Sequence, residues 1–166
     1  MGVTGASGME RALIGGNTIN LVGEINSTML LIPHGCIYEP IKRVVFATVL
    51  KVTAEDTVKE IKAIVRDLEV ELSILNVDYH HRDHYFPDLV KEQSSLHQIW
   101  DSENPDYYYT DHEDVAEGIM NFVQTNKMQL VIALPKTRGF FESIFHRSVT
   151  KRLAYHSRIA LLLFKH

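Results

Sequence analysis

The glycines at positions 2, 5, 15 and 16 are the residues of this chain best placed to do chemistry. Gly2, two residues, Gly5, nine residues and then Gly15-Gly16-Asn17-Thr18 have the spacing of a loop that cradles phosphate and leads into a helix. Phosphate oxygens must come close to backbone N–H groups at dihedrals that a Cβ forbids, and a helix N-terminus adds favourable partial charge. In open α/β nucleotide sites such a loop follows a buried parallel strand. Only Met1 precedes Gly2 in this sequence. The stretch therefore reads as the second half of a binding site without its first.

It resembles the nucleotide signature of the universal stress protein family. That signature is Gly, two residues, Gly, nine residues, Gly, then Ser or Thr, a short helix, and a last apolar strand ending in Pro. Here Gly2, Gly5 and Gly15 are followed by a helical segment over 17–25 and by Thr28-Met29-Leu30-Leu31-Ile32-Pro33. Gly16 stands where the hydroxyl residue belongs, with Asn17 and Thr18 directly after it. Aligning the later loop with the same signature puts Leu134, Thr137, Arg147 and Ser148 on its Gly, Gly, Gly and Ser/Thr positions, and only Ser148 fits. In ATP-binding members an acidic residue after the first strand lies near the nucleoside; Val49 holds that position here. Replacing glycine by Leu, Thr and Arg removes both backbone freedom and room for phosphate. The resemblance thus implies that the later domain has lost ATP binding, with no cofactor expected and ATP the ligand to consider if one binds.

Two anion-binding alternatives stay open. The loop through Gly2, Gly5, Gly15, Gly16, Asn17 and Thr18 could hold a small anion, or a nucleotide once another chain completes its walls. Lys136, Arg138, Arg147, Lys151, Arg152 and Arg158 gather around the later loop and helix. With Thr137 and Ser148 they could form an anion pocket, since arginine holds phosphate without glycines. They could equally be a solvated basic face that pairs with acidic surface.

Other candidates carry less. His80, His81 and His84 are suitable metal ligands in type, but they follow a strand and precede Pro87, which makes the segment a loop; no metal site is expected. Tyr107-Tyr108-Tyr109 reads as strand packing, because no basic stripe accompanies it to bind bases. Met9, Met29, Met120 and Met128 read as core filling. There is no Gly-x-Ser-x-Gly elbow, nor any other catalytic constellation, so the protein is expected not to be an enzyme.

From position 41 onward, elements that could position such sites alternate. The run 44–49 is apolar but for Thr48, the mark of a strand covered on both faces. Thr53 and Asp56 suggest a capping box for a helix with Val58, Ile61, Val65 and Leu68 on one face. A strand follows at 72–77. Pro87 opens a helix that carries Leu89, Leu96, Ile99 and Trp100 and stops at Asn104-Pro105. A short edge strand spans 107–110. Asp111 is placed to cap a helix burying Val115, Ile119, Phe122 and Val123. A strand at 130–134, a helix at 140–156 and a strand at 159–165 complete the pattern.

This alternation predicts an α/β fold with a doubly wound, five-stranded parallel sheet. The resemblance implies strand order 3-2-1-4-5, as in the adenine nucleotide alpha hydrolase-like fold. It also implies the organisation: 1–33 as the tail of a first repeat, 34–40 as linker, and 41–166 as a whole second repeat. The family's antiparallel pairing of last strands implies that 28–32 lies against 159–164 as a sixth strand. The uncovered edge of that strand implies a homodimer formed through the remnant.

Composition narrows the partners. The chain has 166 residues, 45% hydrophobic and 23% charged, and a net charge of −4. That suits one globular core and gives no basic excess for nucleic acid. Cys36 is the one cysteine, which excludes an internal disulfide and suits a reducing compartment. No signal peptide or membrane span is legible, so a cytoplasmic address is expected. The expected role is non-enzymatic, in stress response by association or regulation.

Overall fold

The computed structural model describes residues 27–33, 36–48, 54–78, 87–134, 149, 152–153 and 158–164, with backbone alone for 87–92. The strands are β1 (Met29–Leu31), β2 (Arg43–Ala47), β3 (Glu71–Asp78), β4 (Asp106–Asp111), β5 (Leu130–Ala133) and β6 (Ala160–Leu163). The helices are α1 (Glu55–Asp67), α2 (Pro87–Trp100) and α3 (Val115–Thr125), with a 3-10 turn at Asp101–Glu103. Val149, Arg152 and Leu153 are also helical.

One six-stranded sheet runs in the order β1-β6-β5-β2-β3-β4. Its centre is apolar on both faces because helices cover both: β5 is buried throughout, and in β2 only Arg43 is exposed. One face packs Val45, Ala47, Leu75, Val77, Val131 and Leu161 against α3 and Leu153. The other packs Val44, Phe46, Ile74, Leu130 and Ile132 against Val58, Ile61 and Val65 of α1 and Leu96 and Trp100 of α2. Phe46 and Trp100 meet with ring centroids 5.1 Å apart.

Numbering the five parallel strands in chain order gives 3-2-1-4-5, as expected. β1 adds the sixth position, antiparallel to β6, with Met29 opposite Leu163 and Leu31 opposite Leu161. Met29 and Leu31 point into the face shared with α3, while Leu30 and Ile32 remain 43% and 42% exposed. β4 is the other edge, and its burial is only partial.

Three local expectations are corrected. Asp111 does not cap α3: it ends β4 opposite Asp78, and the Asp114 carboxylate instead accepts from the Glu117 amide at 3.0 Å. Leu68 does not share the buried face of α1. It is the C-cap residue and 44% exposed, and the chain turns away at Glu69 with φ 52°. No capping box is seen on Asp56, which lies 3.3 Å from Lys59 Nζ, while the N-cap residue is Ala54 without a side-chain bond. Thr53 lies outside the described residues, as does most of the helix expected over 140–156.

Candidate functional site

Ligands of open doubly wound sheets bind outside the carboxyl ends of the strands, where the strand order reverses. Here that point is β2, with β3 on one side and β5 on the other. Beyond Ala47, Thr48 is buried and its N–H donates to the Leu75 carbonyl at 2.9 Å. Asn76, also buried, donates from Nδ2 to the Thr48 carbonyl at 3.1 Å. Both backbone groups of Thr48 are therefore engaged by β3. On the other side, the Ala133 carbonyl accepts from the Phe164 N–H at 3.0 Å, and Leu134 packs its side chain against the α1–α2 face. The described part of this crevice is thus lined by an apolar side chain and by polar groups already bonded to one another.

Two strands away, the turn from β4 into α3 joins several ionisable groups. The His112 N–H donates to the Asp78 carbonyl at 3.0 Å, extending the β3–β4 ladder by one residue. The Asp114 N–H donates to His112 Nδ1 at 3.0 Å, which fixes that nitrogen as an acceptor and leaves the proton on Nε2. Asp114 then caps α3 and also pairs with Arg152, whose second nitrogen lies 3.2 Å from Glu117. Burial pushes the Asp114 carboxyl up, but the Glu117 amide and the Arg152 guanidinium outweigh it and hold the group below its usual range.

A third cluster sits at the amino end of β4, away from the crevice. Lys62 Nζ donates to the Ile99 carbonyl at 2.6 Å and to Ser102 Oγ at 2.7 Å, with the Trp100 ring 5.7 Å below it. Arg66 grips Glu103 through both carboxylate oxygens. That grip holds the Glu103 carboxyl below its usual range. His97 stacks on Tyr107 at 3.7 Å and meets the Tyr109 hydroxyl at 3.1 Å. Burial, and then its bond to Asp101, push the Tyr107 phenol well above its ordinary range. Tyr108 packs edge-on against Phe122, 4.7 Å away. Tyr107 and Tyr108 pack within the fold, whereas Tyr109 is exposed and meets His97 through its hydroxyl.

The candidate site residues Gly2, Gly5, Gly15, Gly16, Asn17, Thr18, Thr137, Arg138, Arg147 and Ser148 lie outside the described residues, as do Val49 and the histidines at 80, 81 and 84. Of the basic cluster, Arg152 is described and paired with Asp114 and Glu117, while Arg158 is exposed. Among the described residues no group of three His, Cys, Asp or Glu could hold a metal ion, and no helix is long and apolar enough to cross a membrane. Asn76, His112 and Asp114 are not marked as site residues by any sequence pattern named above. The spacing of Asp114 to Glu117 before an apolar-periodic run is the capping signal that could have found one of them.

No protein-family profile matches the sequence, and no curated protein sequence matches it. Solved structures do share its architecture. Over 90% of its length the chain superposes on a universal stress protein from Archaeoglobus fulgidus DSM 4304, with a TM-score of 0.66 and 12% identity, covering 53% of that protein. It superposes over 77% of its length on a protein of the universal stress protein family from Burkholderia pseudomallei, with a TM-score of 0.51 and 16% identity, covering 98% of it. A universal stress protein from Archaeoglobus fulgidus in complex with dAMP matches 75% of the chain, with a TM-score of 0.55 and 11% identity, covering 98% of that structure. The chain has the universal stress protein fold, and it spans about half the length of the first of these proteins.

Proposed function

We propose that this chain is a universal stress protein family member that acts by association or regulation rather than by turnover, and that its domain 41–166 has lost ATP binding. The observation that carries this reading is β1, which continues the sheet antiparallel beyond β6. That is where last strands of two domains pair in the family the sequence resembles.

The lengths of the superpositions fit the same organisation. The shorter neighbour from Burkholderia pseudomallei is covered almost completely by 77% of the chain, whereas the longer Archaeoglobus fulgidus protein takes up 90% of it. The surplus is consistent with 1–33 as the end of a preceding repeat. Loss of ATP binding is supported at the crevice. Leu134 fills against the core where the signature has glycine, and the Thr48 backbone is already bonded to β3. Self-association through the remnant is supported by Leu30 and Ile32, apolar side chains exposed on the last strand of the sheet.

A second reading is favoured by the dAMP held in the Archaeoglobus fulgidus neighbour. It keeps an adenine nucleotide or anion as ligand, bound by the Gly2–Gly15 loop completed by another chain or by the pocket around Arg147. Calorimetric titration of the full chain with ATP separates the two. The first reading expects no saturable heat, while sub-micromolar affinity that disappears in Ser148→Ala contradicts it.

A further inference from the structure

We propose that His112 is a pH-sensitive latch, which in its neutral form ties the end of β4 to the cap of α3 and through it to Arg152, and which lets go when Nδ1 is protonated. Three observations carry this inference, and none of them involves the nucleotide crevice.

The latch bond has a direction. The Asp114 N–H points at His112 Nδ1 across 3.0 Å. An N–H can be accepted only by an unprotonated ring nitrogen, so this bond exists with neutral imidazole and not with imidazolium. The ring is also held in place. His112 N–H is tied to Asp78, and α3 presses on it so closely that a Cβ built on Gly118 would come within 3.0 Å of His112 Cβ and 2.9 Å of Val77 Cγ1. Backbone and packing thus leave the imidazole little freedom to swing aside and keep the bond.

The acceptor bond also sits at the head of a relay. Asp114, whose amide the ring holds, is the residue that caps α3 through Glu117 N–H and pairs with Arg152. Arg152 belongs to the helical residues that precede β6. A shift of the Asp114 backbone therefore reaches both α3 and the segment leading to the last parallel strand.

On the described elements that meet at this turn, the ionisable groups are Asp78 at the end of β3, Asp111, Glu113 and Asp114 beside His112 in sequence, Glu117 of α3, and Arg152, which pairs with Asp114. Protonation turns Nδ1 from acceptor to donor and expels the Asp114 N–H. The coupled structure exists with the neutral ring and is lost when Nδ1 gains a proton.

Nuclear magnetic resonance on the full chain tests this between about pH 8 and pH 5, where histidine is the side chain that ordinarily changes charge. At the upper end the His112 ring should be the Nε2–H tautomer. On titration, exchange of the Asp114 amide, corrected for its intrinsic pH dependence, should rise about fivefold, the factor that one lost hydrogen bond of this kind represents. The Arg152 guanidinium signal should move with the same midpoint. His112→Asn places a non-titrating acceptor near Nδ1 and should abolish both transitions; His112→Phe should show fast Asp114 exchange at every pH. An Nδ1–H tautomer at pH 8, measurable without any variant, overturns the proposal. So do transitions that persist unchanged in His112→Asn.

Discussion

Leu31 of β1 lies directly opposite Leu161 of β6, in antiparallel register, and both side chains are fully buried. This pair fastens β1 to β6. The neighbouring residue, Leu30, sits opposite Leu162 but is 43% exposed, because strand side chains alternate between faces.

The alternation separates two substitutions one residue apart. Leu31→Ala should destabilise the chain by about 2–5 kcal/mol, the usual cost of a cavity in a packed core. Leu30→Ala should cost less than about 1 kcal/mol, since much of that side chain already meets water. Urea denaturation followed by circular dichroism measures both, and equal costs would mean that β1 does not dock as described.

Gly118 is the one glycine whose backbone approach the described structure explains. A methyl group there meets Val77 Cγ1 at 2.9 Å and His112 Cβ at 3.0 Å. Gly118→Ala should therefore destabilise by about 1–3 kcal/mol through overpacking, although alanine is the better helix former. A stabilised variant in thermal denaturation would show that α3 can lift from the sheet at no cost.

Glu103 should supply acid sensitivity of its own. Its carboxyl is held below its usual range, first by the bond from Arg66. A group with a depressed folded-state value stabilises above its unfolded value and loses that contribution as pH falls through the folded one. The window therefore lies below about pH 4.3, the ordinary glutamate value. Glu103→Gln should flatten the fall in stability there and leave the histidine range untouched. The check is a series of denaturation midpoints from neutral to acid pH, compared between the two chains.

Asp114 joins two roles that a single substitution removes. Asp114→Ala should cost about 0.5–2 kcal/mol for the lost cap. In a double-mutant cycle with Arg152→Gln, the two changes should be non-additive, because the side chains bond each other. Additivity in that cycle would place the ion pair outside the folded ensemble.

The parts of the fold legible in the sequence were those set by local physics. Uninterrupted apolar runs marked β2 and β5 because both of their faces are covered, and Pro87 and Asn104 bracketed α2 through dihedral constraints. The order of the strands was not in any periodicity; it came from the resemblance, as did the docking of β1 on β6. Local signals also misled where two residues could serve the same purpose. Asp111 and Asp114 are both plausible caps, and only the extension of β4 along Asp78 excludes the first. Leu68 fits the helical stripe of α1, yet the helix ends one residue before it. Asn76 and His112 gave no signal, since their roles depend on carbonyl and amide groups brought together by strand pairing.

Association through the β1 end of the sheet is what distinguishes the proposed role from nucleotide handling. Sedimentation equilibrium of the full chain tests it most directly, over a concentration series extending well above micromolar. The account predicts a homodimer that weakens at least tenfold when Leu30→Lys and Ile32→Lys are combined, since buried like charges would face one another (a factor equivalent to about 1.4 kcal/mol). The variant should keep the wild-type circular dichroism spectrum. A chain that stays monomeric throughout the series, or a dimer indifferent to both lysines, would contradict it.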